Sequence, residues 1–141
     1  MSDNATGPAS GHCLCGGVRY RAKALRRKVV ACHCEMCRRW TGGLWRATAA
    51  LRDEIEIEDD GCLAWYGSSG EARRGFCRTC GSSLFFDHVE RTTLAIMAGT
   101  LDQPTGLELA FHIFVDDKAD YEAITDDLPR LPAGGHGLKY P

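Results

Sequence analysis

Cys77-Arg78-Thr79-Cys80-Gly81 has the turn spacing of a zinc knuckle, in which two sulfurs from one tight turn bind the same metal ion. The distant stretch Cys13-Leu14-Cys15 supplies a second pair of cysteines, which project to the same side of an extended segment. A structural zinc needs four thiolate or imidazole ligands in a tetrahedron, so two such pairs complete one closed site. The expected ligands of this structural zinc are Cys13, Cys15, Cys77 and Cys80.

A third cluster, Cys32-His33-Cys34-Glu35-Met36-Cys37, holds three cysteines within a single bend of the chain, and we call these cysteines the triplet. Three protein ligands leave one coordination position open, which is typical of a catalytic zinc. The expected ligands of this second, open zinc are Cys32, Cys34 and Cys37. Nothing in the spacing prevents the triplet from taking a fourth ligand elsewhere, and a closed site completed by a histidine is the alternative. The candidate histidines are His12, His33, His88 and His112.

A disulfide framework is the other use that an even number of cysteines allows. The first eight residues have neither the basic start nor the apolar core of a secretory signal. A chain of 141 residues is also long enough to bury a core without covalent staples, and cysteines within one cluster are strained disulfide partners. We therefore expect zinc ligation in a reducing cytoplasm. Cys62 stands outside every cluster and is expected to be a small core side chain.

The charge and hydropathy pattern excludes two classes of partner. The net charge of -2 predicts neither a nucleic-acid partner nor attraction to an anionic membrane surface. The longest apolar run, 107–115, is far too short to span a bilayer. We expect a single domain over residues 12–141, preceded by a small polar segment, 1–11, that is disordered.

Short strand candidates separated by glycines and charged residues make up most of the chain. The segment 54–58 alternates strictly between glutamate and isoleucine, as a half-buried strand does. The predicted strands cover 18–21, 28–31, 44–50, 54–58, 63–66, 72–76, 84–87, 93–98 and 107–115. No window has a long helical period, although 121–128 is compatible with a short helix or turn. The pattern predicts a mainly β, antiparallel protein.

The cysteine clusters lie within longer blocks of distinctive sequence. These blocks are Gly11-His12-Cys13-Leu14-Cys15-Gly16-Gly17-Val18-Arg19-Tyr20, Cys32-His33-Cys34-Glu35-Met36-Cys37-Arg38-Arg39-Trp40-Thr41-Gly42, Phe76-Cys77-Arg78-Thr79-Cys80-Gly81-Ser82-Ser83-Leu84, and His112-Ile113-Phe114-Val115 followed by Asp126-Asp127-Leu128-Pro129. In order and spacing they resemble the glutathione-dependent formaldehyde-activating enzyme family. The resemblance implies small antiparallel sheets in a β-tent arrangement around the four-cysteine zinc, with short helical turns. It also implies that the first and third cysteine blocks hold the structural zinc and the middle block a second zinc.

The resemblance further implies an activity, the condensation of formaldehyde with glutathione to S-hydroxymethylglutathione. This is formally the reverse of a carbon-sulfur lyase reaction. We therefore expect a zinc-dependent lyase-type enzyme that forms or cleaves an adduct of an aldehyde with glutathione or another small thiol. Two zinc ions per chain are the expected cofactors, and glutathione is the expected co-substrate. The alternative is a non-catalytic, zinc-stabilised module that binds small thiols or a protein.

The chemistry of three thiolates agrees with this expectation. Zinc held by three thiolates has a formal charge of about -1, so it is a weak Lewis acid that suits a thiol better than a water molecule. A free thiol, with a pKa of about 8.5, is mostly protonated at neutral pH. A thiol bound to this zinc would be kept deprotonated at the same pH. Arg38 and Arg39 directly follow the triplet and are candidates to bind a substrate carboxylate. The alternative for them is two solvated arginines.

Overall fold

The computed structural model describes residues 6–134, and this part of the chain contains ten strands and one α-helix. The strands are β1 (Ala9–His12), β2 (Val18–Ala22), β3 (Val29–Cys32), β4 (Trp45–Leu51), β5 (Ile55–Asp59), β6 (Leu63–Gly67), β7 (Ala72–Cys77), β8 (Ser83–His88), β9 (Thr93–Met97) and β10 (Leu109–Ile113). Helix α1 spans Glu35–Thr41, and short 3-10 turns occupy Arg52–Glu54, Ala98–Thr100 and Val115–Asp117. The predicted mainly β class is confirmed.

The strands form two sheets. The smaller sheet has the order β1-β2-β5, and the larger has the order β10-β3-β4-β9-β8-β7-β6. The strict alternation predicted for 54–58 is present in β5, where Ile55 and Ile57 pack against the core while Glu56 and Glu58 are exposed. Neighbouring strands are antiparallel at every pairing in the described residues except one, β3 with β10, which run parallel.

The parallel pair differs from the expectation of a wholly antiparallel protein. Strand β10 follows β3 by more than 75 residues of chain, so no hairpin turn dictates its direction. Its outer edge is covered by the following segment, because the backbone N–H of Leu131 donates to the carbonyl of His112 and that of His112 donates to Pro129. The segment 121–128, a candidate for a short helix or turn, contains no helix.

The amino-terminal segment is more ordered than the sequence pattern predicted. Disorder was predicted for 1–11, but Ala9–His12 forms β1 and pairs with β2 in an antiparallel ladder. The lack of a side chain at Gly11 lets the polar segment pack closely against its neighbours. A Cβ there would collide with the hydroxyl of Tyr20 and the carbonyl of Thr100. This close approach depends on strands distant in sequence, which a local pattern does not reveal. Residues 1–5 of the predicted segment lie outside the described residues.

Two hydrophobic clusters fill the protein, and strand β9 contributes to both. Its alternate side chains face opposite sides of the larger sheet. Leu94 and Ile96 join the cluster around Val18, Phe85 and the buried cysteines of the predicted structural site. Ala95 and Met97 join the cluster around Trp45 and the triplet. Each cysteine cluster is therefore attached to a hydrophobic cluster of its own, on its own side of the sheet.

Helix α1 was not predicted, since its seven residues are too few to show a helical period. The triplet itself starts it, because the sulfur of Cys34 accepts a hydrogen bond from the backbone N–H of Cys37 in the capping position. Gly42 ends the helix in the left-handed conformation, with φ 74°, and donates its N–H to the carbonyl of Arg38. The helix keeps the second and third cysteines of the triplet on one turn.

Asp87, on β8, links β7 to the turn after β4 through ion pairs with two arginines. Its substitution tests how far these links stabilise the larger sheet. The carboxylate accepts a 2.8 Å hydrogen bond from Arg73 Nε and pairs with Arg52. Although burial raises its pKa, hydrogen bonds from Arg73 and Arg52 more than offset this and hold the pKa of Asp87 below its ordinary value. We expect Asp87→Asn to lower the free energy of unfolding by about 1–3 kcal/mol in urea titrations of the zinc-loaded protein.

Glu35→Gln is the matched control for this prediction. Glu35 pairs with Arg39 at 2.7 Å, but both side chains are exposed. Exposed pairs of this kind contribute on the order of 0.5 kcal/mol. Equal losses for the two variants would contradict a bracing role for Asp87.

Candidate metal centres

The first centre joins the two sheets. Cys13 and Cys15 lie on the turn between β1 and β2, whereas Cys77 and Cys80 lie on the turn between β7 and β8. The four sulfurs lie within 4.8 Å of one another. The sulfur of Cys15 is 3.7 Å from that of Cys13 and 3.7 Å from that of Cys77. Because zinc–sulfur bonds of about 2.3 Å in a tetrahedron place sulfurs about 3.8 Å apart, the donor set fits zinc.

A glycine closes each of the two turns with a backbone hydrogen bond. The backbone N–H of Gly16 donates to the carbonyl of Cys13, and that of Gly81 donates to Cys77. Both glycines have positive φ values, 80° and 82°, which a residue with a Cβ rarely adopts. Each turn therefore bends the chain back so that its second cysteine faces its first. The predicted knuckle spacing of 77–81 corresponds to a real turn.

Backbone N–H groups point at the sulfurs of this centre. Val18 N–H donates to Cys13 Sγ at 3.3 Å, and Gly17 N–H donates to Cys15 Sγ at 3.4 Å. The hydroxyl and the backbone N–H of Ser82 donate toward Cys80 and lower the pKa of its thiol to about 5. Hydrogen bonds to sulfur favour the thiolate, which is the form that binds a metal.

Cys62 lies beside this centre without joining it. Its side chain is half-buried and packs against the edge of the first hydrophobic cluster, so it is less buried than the core side chain that was predicted, and its sulfur accepts a 3.3 Å hydrogen bond from the hydroxyl of Thr79. All eight cysteines are free, so the alternative of a disulfide framework finds no support in the structure.

The second centre is the triplet. Cys32 is the last residue of β3, Cys34 caps α1 and Cys37 lies in its first turn. Their sulfurs lie within 4.8 Å of one another, and among residues 6–134 no further histidine, cysteine or carboxylate belongs to the group. None of the four candidate histidines therefore closes the site. The triplet offers three ligands and fits a metal ion that keeps one position free.

The triplet sulfurs share hydrogen bonds when no metal binds them. Hydrogen bonds from the thiols of Cys32 and then Cys37 hold the pKa of Cys34 well below its ordinary value. The same bond to Cys34, a second to Cys37 and burial raise the pKa of Cys32. Metal binding requires all three sulfurs as thiolates and would release the protons that they share.

A cavity of about 300 Å³ opens beside the triplet. All three cysteines line it, and the aromatic side chains of Trp45, Phe86 and Phe114 form part of its wall. Its charged groups are the arginines Arg27, Arg74 and Arg91, with His88 near them. The cavity is therefore apolar in its walls, positive in its charge and sulfur-lined at one end. A small anionic molecule with an apolar portion matches this lining.

The predicted arginines lie elsewhere. Arg39 is exposed and donates to Glu35 at 2.7 Å. Arg38 borders a much smaller pocket on the other side of Cys32, next to Glu122. Neither belongs to the lining of the larger cavity. Their role in substrate binding stays a prediction that no contact among the described residues supports.

Arg74 is the residue that the sequence analysis missed. It lies on β7, is 3% exposed, and its Nη1 and Nη2 are 3.6 and 3.7 Å from the sulfur of Cys37. A signal was present in the sequence, because Arg73 and Arg74 are adjacent in a predicted strand. Neighbouring side chains in a strand face opposite sides, so one of the two had to face inward.

A chain of hydrogen bonds ties the triplet to the segment after β10. The Nε2–H of His112 donates to the carboxylate of Asp126 at 2.9 Å, so its Nδ1 accepts from the Nε2–H of His33, also at 2.9 Å. Burial and then the neighbouring His112 lower the pKa of His33, which keeps the ring neutral. His33 thus points away from the triplet sulfurs, as its position between two ligands predicted, and both rings are buried.

Metal analysis tests the two centres separately. We expect the wild-type protein to hold two zinc ions per chain and Cys34→Ala to hold one, since two sulfurs no longer define a site. Cys62→Ala, which alters a thiol outside both centres, should retain two. Atomic emission of extensively dialysed protein gives the count. Two tightly held zinc ions in Cys34→Ala would contradict the assignment of the triplet.

The histidine chain has its own prediction. His112→Phe keeps an aromatic ring but leaves the buried Nε2–H of His33 without an acceptor, so we expect the free energy of unfolding to fall by about 1–3 kcal/mol in urea titrations. Asp126→Asn is the milder comparison, because the amide oxygen still accepts from His112. A smaller loss for His112→Phe than for Asp126→Asn would contradict the chain.

The chain is similar in sequence and in fold to known proteins. The model of the glutathione-dependent formaldehyde-activating enzyme family matches residues 8–117. An uncharacterized lyase of Schizosaccharomyces pombe is 29% identical over 111 residues, which are 78% of this chain and 80% of the relative. A solved structure of a Rhodobacter sphaeroides protein has a similar fold, with a TM-score of 0.59 at 23% identity, over 69% of this chain and 91% of that one.

Among the described residues, no helix has the length and apolar character needed to cross a bilayer.

The family match covers most of the chain, including all eight cysteines and therefore both centres. The chain belongs to the glutathione-dependent formaldehyde-activating enzyme family.

Proposed function

We propose that this protein is a zinc-dependent carbon-sulfur lyase-type enzyme, which forms or cleaves the adduct of an aldehyde with glutathione or a similar small thiol. S-hydroxymethylglutathione is the adduct that the family name suggests. The observation that carries the proposal is the three-sulfur cluster, to which residues 6–134 supply no fourth ligand and which borders a cavity of about 300 Å³. The relative named as a lyase supports the same class of reaction.

The proposed reaction needs no oxidant or reductant. In the forming direction, the thiol sulfur bonds to the aldehyde carbon, the π pair of the carbonyl moves to its oxygen, and the thiol proton ends on that oxygen. In the cleaving direction, the carbon-sulfur bond breaks with its electron pair on sulfur, and the hydroxyl loses its proton as the carbonyl forms. Zinc, when bound by the triplet, supplies an electron-pair acceptor that keeps a thiol deprotonated at neutral pH.

The side chains around the cavity perform two tasks. The rings of Trp45 and Phe86, which meet edge to face with centroids 6.2 Å apart, form an apolar part of the cavity wall against which the apolar portion of a substrate would pack. Arg27 and Arg91 line the cavity and make it positive, which would attract a substrate with carboxylates, as glutathione has. His88 accepts a hydrogen bond from the backbone N–H of Glu90 at its Nδ1, which leaves Nε2 as the ring nitrogen that can donate to a substrate.

The proposed domain is longer than the range that the family model matches. Asp126 and Leu131 lie beyond residue 117, yet they contact His112 beside the triplet. These contacts support the proposal of a single domain over 12–141, extended at its start by β1. Free thiols in two metal centres need reducing surroundings, so the proposed location is the cytoplasm.

The activity test uses formaldehyde and glutathione. The purified zinc-loaded protein is mixed with both, and free formaldehyde is followed against a protein-free reaction. We expect consumption faster than the spontaneous reaction, with Cys34→Ala at the spontaneous rate because the open centre is lost. Cys62→Ala, the matched control outside both centres, should retain the wild-type rate.

The alternative outcome is equally definite. A wild-type rate equal to the protein-free rate would overturn the enzyme proposal for this substrate pair. If the same sample bound glutathione in calorimetry without accelerating the reaction, the non-catalytic thiol-binding module would replace it.

A further inference from the structure

Arg74 is the buried charge nearest the open centre. Its side chain extends from β7 into the second hydrophobic cluster, with the guanidinium carbon 4.9 Å from the centroid of Phe86 and 5.3 Å from that of Trp40. Both terminal nitrogens approach the sulfur of Cys37, at 3.6 and 3.7 Å. The residue is 3% exposed and belongs to the cavity lining. The guanidinium therefore lies between aromatic rings with its fork directed at one sulfur.

The salt bridges of the described residues do not include Arg74, and its Nε is buried without a hydrogen-bond partner. An unpaired guanidinium in such a position is strongly destabilising. Stability therefore requires a compensating negative charge close by, and the group that Arg74 contacts is the sulfur of Cys37. A neutral thiol there would not supply that charge, whereas a metal-bound thiolate would.

Other residues around the triplet also have buried polar atoms without a hydrogen-bond partner. Four buried side-chain polar atoms of residues 6–134 have no hydrogen-bond partner, and three of them belong to residues around the triplet. These three are Arg38 Nε, Trp45 Nε1 and Arg74 Nε. Arg38 follows Cys37 in α1, and Trp45 pairs with Cys32 across the β3–β4 ladder. Each of these atoms is an N–H donor with a partial positive charge. The residues around the triplet therefore create an electropositive environment for its sulfurs.

We infer that Arg74 is a positioning residue of the open centre, which donates both terminal nitrogens to the sulfur of Cys37 and balances the charge of the three-thiolate zinc. Zinc with three thiolates has a formal charge of about -1, and the guanidinium brings the pair to about zero. A fourth, anionic sulfur ligand then meets a neutral rather than a negative centre. This inference rests on the proposed function only in placing zinc at the triplet.

Three variants separate charge from packing. Arg74→Met retains an unbranched chain of similar volume without the charge, and Arg74→Lys retains the charge without the fork. Arg73→Met is the matched control, since Arg73 is the next residue on the same strand but is exposed and stacks on Trp65 at 3.9 Å. Circular dichroism and the retention of the four-cysteine zinc show that each variant is folded.

The first measurement is the release of zinc to a chelator. Removal of groups that hydrogen-bond to metal ligands typically costs about 10- to 100-fold in metal affinity. We expect a loss of about this size at the triplet in Arg74→Met, partial recovery in Arg74→Lys, and wild-type affinity in Arg73→Met. Equal losses in the lysine and methionine variants would assign the effect to packing and overturn the inference. So would wild-type affinity in Arg74→Met.

The second measurement is the absorption spectrum of the cobalt-substituted protein. A sulfur that loses two hydrogen-bond donors becomes richer in electrons, so its charge-transfer band moves to longer wavelength. We expect this shift in Arg74→Met and none in Arg73→Met. An unshifted band in Arg74→Met would overturn the donation to Cys37.

Neither measurement uses the lyase reaction. If the zinc and cobalt results hold while the wild-type protein fails to accelerate the formaldehyde reaction, the role of Arg74 stands and the proposed function fails. If the wild-type enzyme is active but Arg74→Met binds zinc normally, the proposed function stands and this inference fails.

Discussion

The four sulfurs of Cys13, Cys15, Cys77 and Cys80 form the constraint on which the rest of the structure depends. They bring together two turns that are more than 60 residues apart and belong to different sheets. Zinc bound there would contribute directly to folding free energy, because the unfolded chain has no preformed site. The packing of Val18 and Phe85 in the first hydrophobic cluster follows from the sheets being held face to face at this point.

Strand β7 connects that constraint to the open centre. It ends at Cys77, a sulfur of the closed centre, and three residues earlier it carries Arg74, whose fork contacts Cys37. The same strand is braced from outside by the ion pair of Arg73 with Asp87. The closed centre and the charge beside the open centre are therefore parts of one strand. The two sulfur clusters are unequal, since four sulfurs join the two sheets and three form the open centre for which we propose the chemistry.

The predictions succeeded where neighbours in sequence are neighbours in space. The triplet lies in one bend, the knuckle of 77–81 in one turn, and the alternation of Ile55 and Ile57 in one strand, so spacing alone indicated each. The disorder predicted for 1–11 was wrong at β1, because the contact of Gly11 with Tyr20 forms only after the sheet assembles. The arginines predicted from proximity to the triplet, Arg38 and Arg39, lie outside the cavity lining.

By itself, the sequence determined the mainly β class, the ligand types of both centres and the family, since these depend on residue identity and short spacing. Only the tertiary structure decided that the described residues supply no fourth ligand to the triplet, and which charges face it. The physical reason is distance along the chain. Arg74 is 37 residues from Cys37, and no local pattern encodes a contact that depends on how strands from separate hairpins are ordered in a sheet.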